Sequence, residues 1–140
     1  MVYATRRRDV ESAAQMQPSV DPATGTPGSD LSPLPFNDAE ELGEVVESVE
    51  PDVVLVEAAD EVSRLPTACP PVVLDLFAPR LLERQYQGIE DLEEPTRLME
   101  AIGRSDYFLF SNIRQRDYYI GQLTAAGVDC RELPGAIVPL

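Results

Sequence analysis

An acid, a hydroxyl and a few guanidinium groups set the chemistry open to this chain. Asp75 lies inside Val72-Val73-Leu74-Asp75-Leu76, an otherwise apolar run. A carboxylate there costs desolvation free energy unless it reaches a partner at the strand end. Two readings fit it: a group that caps the following helix or pairs with Arg80, or a ligand contact. The segment Ser111-Asn112-Ile113-Arg114-Gln115-Arg116 places hydroxyl, amide and two guanidinium groups at the first turn of a helix. Free N–H groups at such a turn favour an anion, here a phosphate or sulfate. The same segment also reads as an N-cap followed by solvated charges, because Arg114 and Arg116, two residues apart, do not share a helix face. The acidic cluster Glu90, Asp91, Glu93, Glu94 lacks the Gly-punctuated pattern of a Ca²⁺ loop and reads as a solvated face. Tyr118-Tyr119 could stack on a sugar ring, although the helical spacing of Tyr119 from Arg116 and Leu123 makes at least one ring packing material.

What is missing narrows the field further. Among 140 residues there is no histidine and no lysine, and all eleven basic residues are arginines. A Ser-His-Asp or Cys-His pair, an imidazole metal ligand, a P-loop lysine and a Schiff base are therefore excluded. Catalysis has to use carboxylates, hydroxyls, arginines or backbone. No second carboxylate lies close enough in sequence to pair with Asp75 as the acid and base of a hydrolase. The formal charge of -14 opposes attraction to nucleic acid or an anionic membrane. Only Arg6, Arg7 and Arg8 run the other way. No apolar run approaches the ~18 residues of a bilayer span, and no apolar segment follows the polar N-terminus, so a soluble, cytoplasmic protein is expected. Cys69 and Cys130 lack CxxC spacing and read as buried free thiols.

The elements that must position these groups follow from periodicity. Residues 1–36 read as an irregular or partly disordered segment, with possible short strands at residues 2–5 and 31–36; Pro33 and Pro35 would confine the second to an edge. Order is expected from Asn37, where Asn with Glu40 resembles a capping box, ahead of Leu42, Val45, Val46 and Val49 at helical spacing. Pro51 ends that helix. Val53-Val54-Leu55-Val56, Val72-Val73-Leu74-Asp75-Leu76 and Tyr107-Phe108-Leu109-Phe110 read as central parallel strands, being apolar on both faces. Between the second and third lie two helices, one opening at Pro79 with Leu82, Tyr86 and Ile89 on a face, one opening at Pro95 with Leu98, Met99 and Ile102. A further helix, capped by Ser111 or Asn112, turns Ile113, Ile120 and Leu123 inward and stops at Gly127. A strand at residues 136–138 closes the pattern. The expectation is a doubly wound parallel α/β sheet with helices on both faces over residues 37–140, whose ligands would sit at the carboxyl ends of the strands.

Two blocks within this pattern resemble a known family. Pro71-Val72-Val73-Leu74-Asp75-Leu76-Phe77-Ala78-Pro79-Arg80-Leu81-Leu82-Glu83, and Ser105-Asp106-Tyr107-Phe108-Leu109-Phe110-Ser111-Asn112-Ile113-Arg114-Gln115-Arg116-Asp117-Tyr118-Tyr119, look like the N-terminal domain of bacterial GT-B-fold glycosyltransferases. The resemblance implies a Rossmann-like domain facing a second one across a cleft, with metal-independent sugar transfer and no cofactor beyond a nucleotide-sugar co-substrate. The acceptor, a sugar or lipid-linked molecule, would be held mainly by the first domain. Asp75, Arg80, Ser111 and Arg114 would line the cleft as substrate-binding residues. Relatives often carry Asp before the proline of the first block, where this chain has Ala78. The resemblance further implies an incomplete domain, without its first strand and without the donor-binding C-terminal half, inactive alone. The alternative is a stand-alone interaction or regulatory domain that uses a Rossmann-like sheet as scaffold.

Overall fold

The structure, a computed structural model, describes residues 3–6 and 33–139, which fall into two compact units divided between Glu50 and Pro51. Most of the Pro- and Gly-rich stretch 15–35 lies outside the described residues. In the first unit, β1 (Tyr3–Arg6) pairs in parallel with β2 (Pro33–Phe36), Tyr3 opposite Pro33 and Arg6 opposite Phe36. Helix α1 (Ala39–Val49) follows and buries Leu42 and Val46, four residues apart on one face. Its cap lies one residue beyond the expected Asn37: the Asp38 carboxylate accepts the N–H groups of Glu40 and Glu41, both at 3.0 Å. Asn37 instead donates to the Glu41 carboxylate. The helix ends at Glu50, which adopts the left-handed conformation at φ 47° ahead of Pro51. By compactness α1 belongs with the N-terminal strand pair, so the division falls later than the boundary after residue 36 read from composition.

The second unit is a parallel α/β layer. Its strands β3 (Val54–Val56), β4 (Val72–Asp75), β5 (Tyr107–Phe110) and β6 (Gly135–Ile137) lie side by side in chain order, every pair parallel. Between them run α2 (Ala59–Val62), absent from the sequence expectation, α3 (Arg80–Tyr86), α4 (Glu94–Gly103) and α5 (Ile113–Ala125), then a 3₁₀ turn at Cys130–Glu132. Asp106 fixes the lower ends of the two central strands: its carboxylate accepts the Val72 N–H at 2.8 Å, and its own N–H donates to the Val72 carbonyl. Gly135 opens β6 because a Cβ there would come within 2.7 Å of the Phe108 carbonyl oxygen.

Burial along the strands alternates. Val56, Val72, Leu74, Phe108 and Phe110 are buried, and they pack with Leu98, Ala101, Ile102, Tyr119 and Leu123 from the helices as the core. Their neighbours in the chain point to the other face, where Leu55 is 59% and Tyr107 39% exposed. Right-handed crossovers between strands added in one direction place their helices on one face, which matches this pattern. Residues apolar on both faces of a strand thus differ in burial, with a period of two.

Helix α3 departs furthest from expectation. Its stripe Leu82, Tyr86, Ile89 faces outward rather than into the core, at 38%, 85% and 47% exposure, and the helix buries no residue at all. Pro79 precedes the helix as its cap, and α4 begins at Glu94 with Pro95 second. Asn112 caps α5, its side-chain oxygen accepting the Gln115 N–H at 3.0 Å, and Gly127, at φ +91°, follows its end. Among the described residues no helix is long and apolar enough to cross a membrane. Phe108→Ala should lose about 3–5 kcal/mol of unfolding free energy in denaturant titration. Leu55→Ala should lose less than about 1 kcal/mol; equal losses would show the two faces to be equally packed.

Candidate functional site

Parallel pairing brings the carboxyl ends of β4 and β5 to one rim, with Asp75 opposite Leu109. The chain leaving β4 there turns back through residues 76–79, and its carbonyl groups need partners. Helix α5 supplies them. The Ser111 hydroxyl donates to the Phe77 carbonyl at 3.2 Å, and the Gln115 side-chain amide donates to the same oxygen. The Gln115 amide oxygen accepts the Ser111 N–H at 3.0 Å, which locks the side chain in place. About one turn further along the same helix, the Tyr119 hydroxyl donates to the Ala78 carbonyl at 2.5 Å. Tyr119 is buried, and burial pushes its phenol well above the ordinary tyrosine range, so it stays a proton donor. Its ring meets that of Tyr118 edge to face at 4.9 Å.

Beside this clamp is a cleft lined by Glu57 from the end of β3, Asp75 and Phe77 from the end of β4, Arg80 at the start of α3, Glu94 at the start of α4, and Tyr119. Asp75 is half-buried. Desolvation raises its carboxyl above the usual range, and the nearby Glu57 charge adds to the rise; a hydrogen bond from the Phe77 N–H works against both. Arg80 does not neutralise it. Its guanidinium lies 3.6 Å from Glu94, which is itself buried and also takes the Arg84 guanidinium at 2.6 Å. Three carboxylates therefore face one guanidinium that is already engaged.

The expected site residues separate into two groups. Asp75 and Arg80 line the cleft; Ser111 stands at its edge and acts on the Phe77 backbone; Arg114 is exposed in the first turn of α5, outside the lining. The first turn of α5 is closed by its own side chains, those of Asn112 and Gln115, and Arg116 is paired with Asp117. Glu94 and Asp91 correct the reading of their cluster as a solvated face. Glu94 is buried, and Asp91 holds Arg84 at 3.2 Å and Arg97 at 2.5 Å while accepting the N–H groups of Glu93 and Glu94. The Arg97 hydrogen bond above all keeps the Asp91 carboxyl below its ordinary range. Among the described residues no group of three or more acids, cysteines or histidines could hold a metal ion. Cys69 and Cys130 are free thiols, half-buried rather than buried. The sequence reading places Gln115 in the first-turn segment of α5 and Glu94 in a solvated acidic face, not beside Asp75; each, like Glu57, becomes a neighbour of Asp75 or its loop only through folding.

Comparison with known proteins gives no match: no family model, no curated protein and no solved structure matches the chain.

Because the native carboxyl of Asp75 is raised, its ionisation costs stability. That cost is absent below the ordinary carboxylate range, grows as the pH rises from the ordinary value to the raised native one, and is complete above it. Asp75→Asn, which keeps an acceptor for the Phe77 N–H, should therefore melt higher than the parent at pH 7. The gain should vanish in acid; a variant less stable at pH 7 would mean that the carboxylate is held by a cationic partner.

Proposed function

We propose that this chain supplies the acceptor-binding side of a nucleotide-sugar glycosyltransferase. The carrying observation is the charge of the cleft: Arg80, the one guanidinium in its lining, is spent with Arg84 on Glu94, which leaves the Glu57 and Asp75 carboxylates without a paired cation among the described residues. Such a surface repels the diphosphate of a nucleotide-sugar and suits a neutral, hydroxyl-rich molecule, whose O–H groups donate to carboxylates. The exposed Phe77 ring adds an apolar face of the kind that sugar rings pack against. Support also comes from the two sequence blocks that resemble GT-B enzymes, because residues 34 to 41 apart in them, Phe77 and Ala78 with Ser111, Gln115 and Tyr119, bond to each other at one rim. On this reading the sheet belongs to a larger doubly wound arrangement with helices on both faces, and the donor is bound by a C-terminal half. The acceptor is a sugar or a lipid-linked sugar on the cytoplasmic side. Asp75 and Arg80 contact it, Ser111 sets the wall, and Arg114 is left to meet the donor-binding half.

A non-catalytic interaction or regulatory domain is the second reading, favoured by the apolar residues Val53 and Leu55 left 50% and 59% exposed. Calorimetric titration of the chain with uridine and guanosine diphosphate sugars should give no binding heat. Adding a donor-binding half should produce transfer, and Asp75→Asn should then lower it by about tenfold or more through a weaker acceptor contact. Tight binding of a nucleotide-sugar by the chain alone would sink the acceptor-side reading. A stable complex with no transfer to any sugar acceptor would favour the interaction domain.

A further inference from the structure

We propose that α3 is a movable wall of the Asp75 cleft, latched shut by Glu94. The helix has seven residues, too few to be stable in isolation, and it buries none of them. Its apolar stripe faces solvent, so hydrophobic contact adds little to its docking. What ties it to the body is charge. Arg84 reaches Glu94 at 2.6 Å and Asp91 at 3.2 Å, and Arg80 reaches the other Glu94 oxygen at 3.6 Å. Glu94 is 7% exposed and sits at the start of α4, whose Leu98, Ala101 and Ile102 are buried, so the latch is anchored in the core.

The two ends of α3 are held unequally. At its start the Phe77 and Ala78 carbonyls are clamped by Ser111, Gln115 and Tyr119. At its end Gly88, at φ +68°, caps the helix: its N–H donates to the Gln85 carbonyl at 3.1 Å and the Ile89 N–H to the Arg84 carbonyl at 3.0 Å. Both bonds lie within residues 84–89, so the capped helix moves as one piece about its clamped start when the ion pairs part. Arg80 and Leu81 line the cleft at the pivot, so the swing carries Arg84 away from Glu94 and Asp91 and leaves Arg80 near its place. The movement goes beyond sugar transfer and does not depend on what the cleft takes.

Hydrogen exchange followed by mass spectrometry on the free chain tests this. In the parent protein the amides of residues 83–88 should exchange about tenfold faster than those of α4 and α5. In Glu94→Gln they should exchange about fivefold faster again, with the rates in α5 unchanged. Arg84→Gln, at a partly exposed position, should do the same and serves if Glu94→Gln does not fold. Protection of 83–88 equal to that of α5 in the parent, or no selective acceleration in a folded variant, would overturn the proposal. Loss of sugar transfer plays no part in the readout, so the latch and the proposed activity stand or fall separately.

Discussion

Where the chain leaves β4, helix α5 reaches across to hold the carbonyl groups of Phe77 and Ala78, the second of which also accepts the Arg80 N–H at 2.9 Å. Ser111, Gln115 and Tyr119 do so from residues 34 to 41 positions further along, and the course of the loop between β4 and α3 follows from that contact. The two bonds to Phe77 are exposed, so their effect is to choose one path for the loop, while the Tyr119 bond to Ala78 is partly buried and is the costlier one to lose. With both oxygens held, residues 76–79 have one course, Asp75 faces the end of β3 where Glu57 stands, and Arg80 starts α3 at a fixed point. The clamp itself depends on the parallel register of β4 and β5, since a slip of one residue would turn Asp75 and Leu109 to the other face.

Charge is organised around this frame in an unusual way for so acidic a chain. With a formal charge of -14, the arginines are few, and those near the cleft are spent on carboxylates: Arg80 and Arg84 on Glu94, Arg84 and Arg97 on Asp91, Arg97 also on Asp60 and Glu93. Exposed pairs of this kind contribute little singly. Their effect here is positional. They join α2, α3 and α4 into one wall and leave Asp75 and Glu57 without a cation, which is why the cleft is acidic although guanidinium groups stand nearby.

Periodicity made the parallel strands legible: β5 falls at its expected bounds, β3 and β4 are one residue shorter at an end, and β6 is displaced by one residue as a whole. The rim position of Asp75 and Ser111 was legible for the same reason, because both follow apolar runs that had to lie side by side. Capping chemistry located α5 through Asn112 and missed α1 by one residue, where Asp38 outcompetes Asn37 for the free N–H groups. The orientation of α3 was not legible. Its apolar spacing predicts an inward stripe, yet Arg80 and Arg84, on the opposite side, find a buried carboxylate in Glu94, and the pairing decides which face turns in. A buried ion pair between separate helices leaves no local pattern, so the same blindness hid Glu94 and Glu57 from the site.

Asp75 also shows why a carboxylate can survive at this place. The pleat of β4 puts Leu74 and Leu76 in the core, at 1% and 4% exposure, where a charge without a partner would be neutralised by protonation. One position away, Asp75 shares its face with Val73 and Leu109, all three half-buried, and stands at the last residue of the strand. There it is dehydrated enough for its carboxyl to be raised, yet open enough to the cleft to be charged and to meet a solute. That balance, a carboxyl raised by dehydration with no arginine beside it, follows from its place at the last residue of the strand.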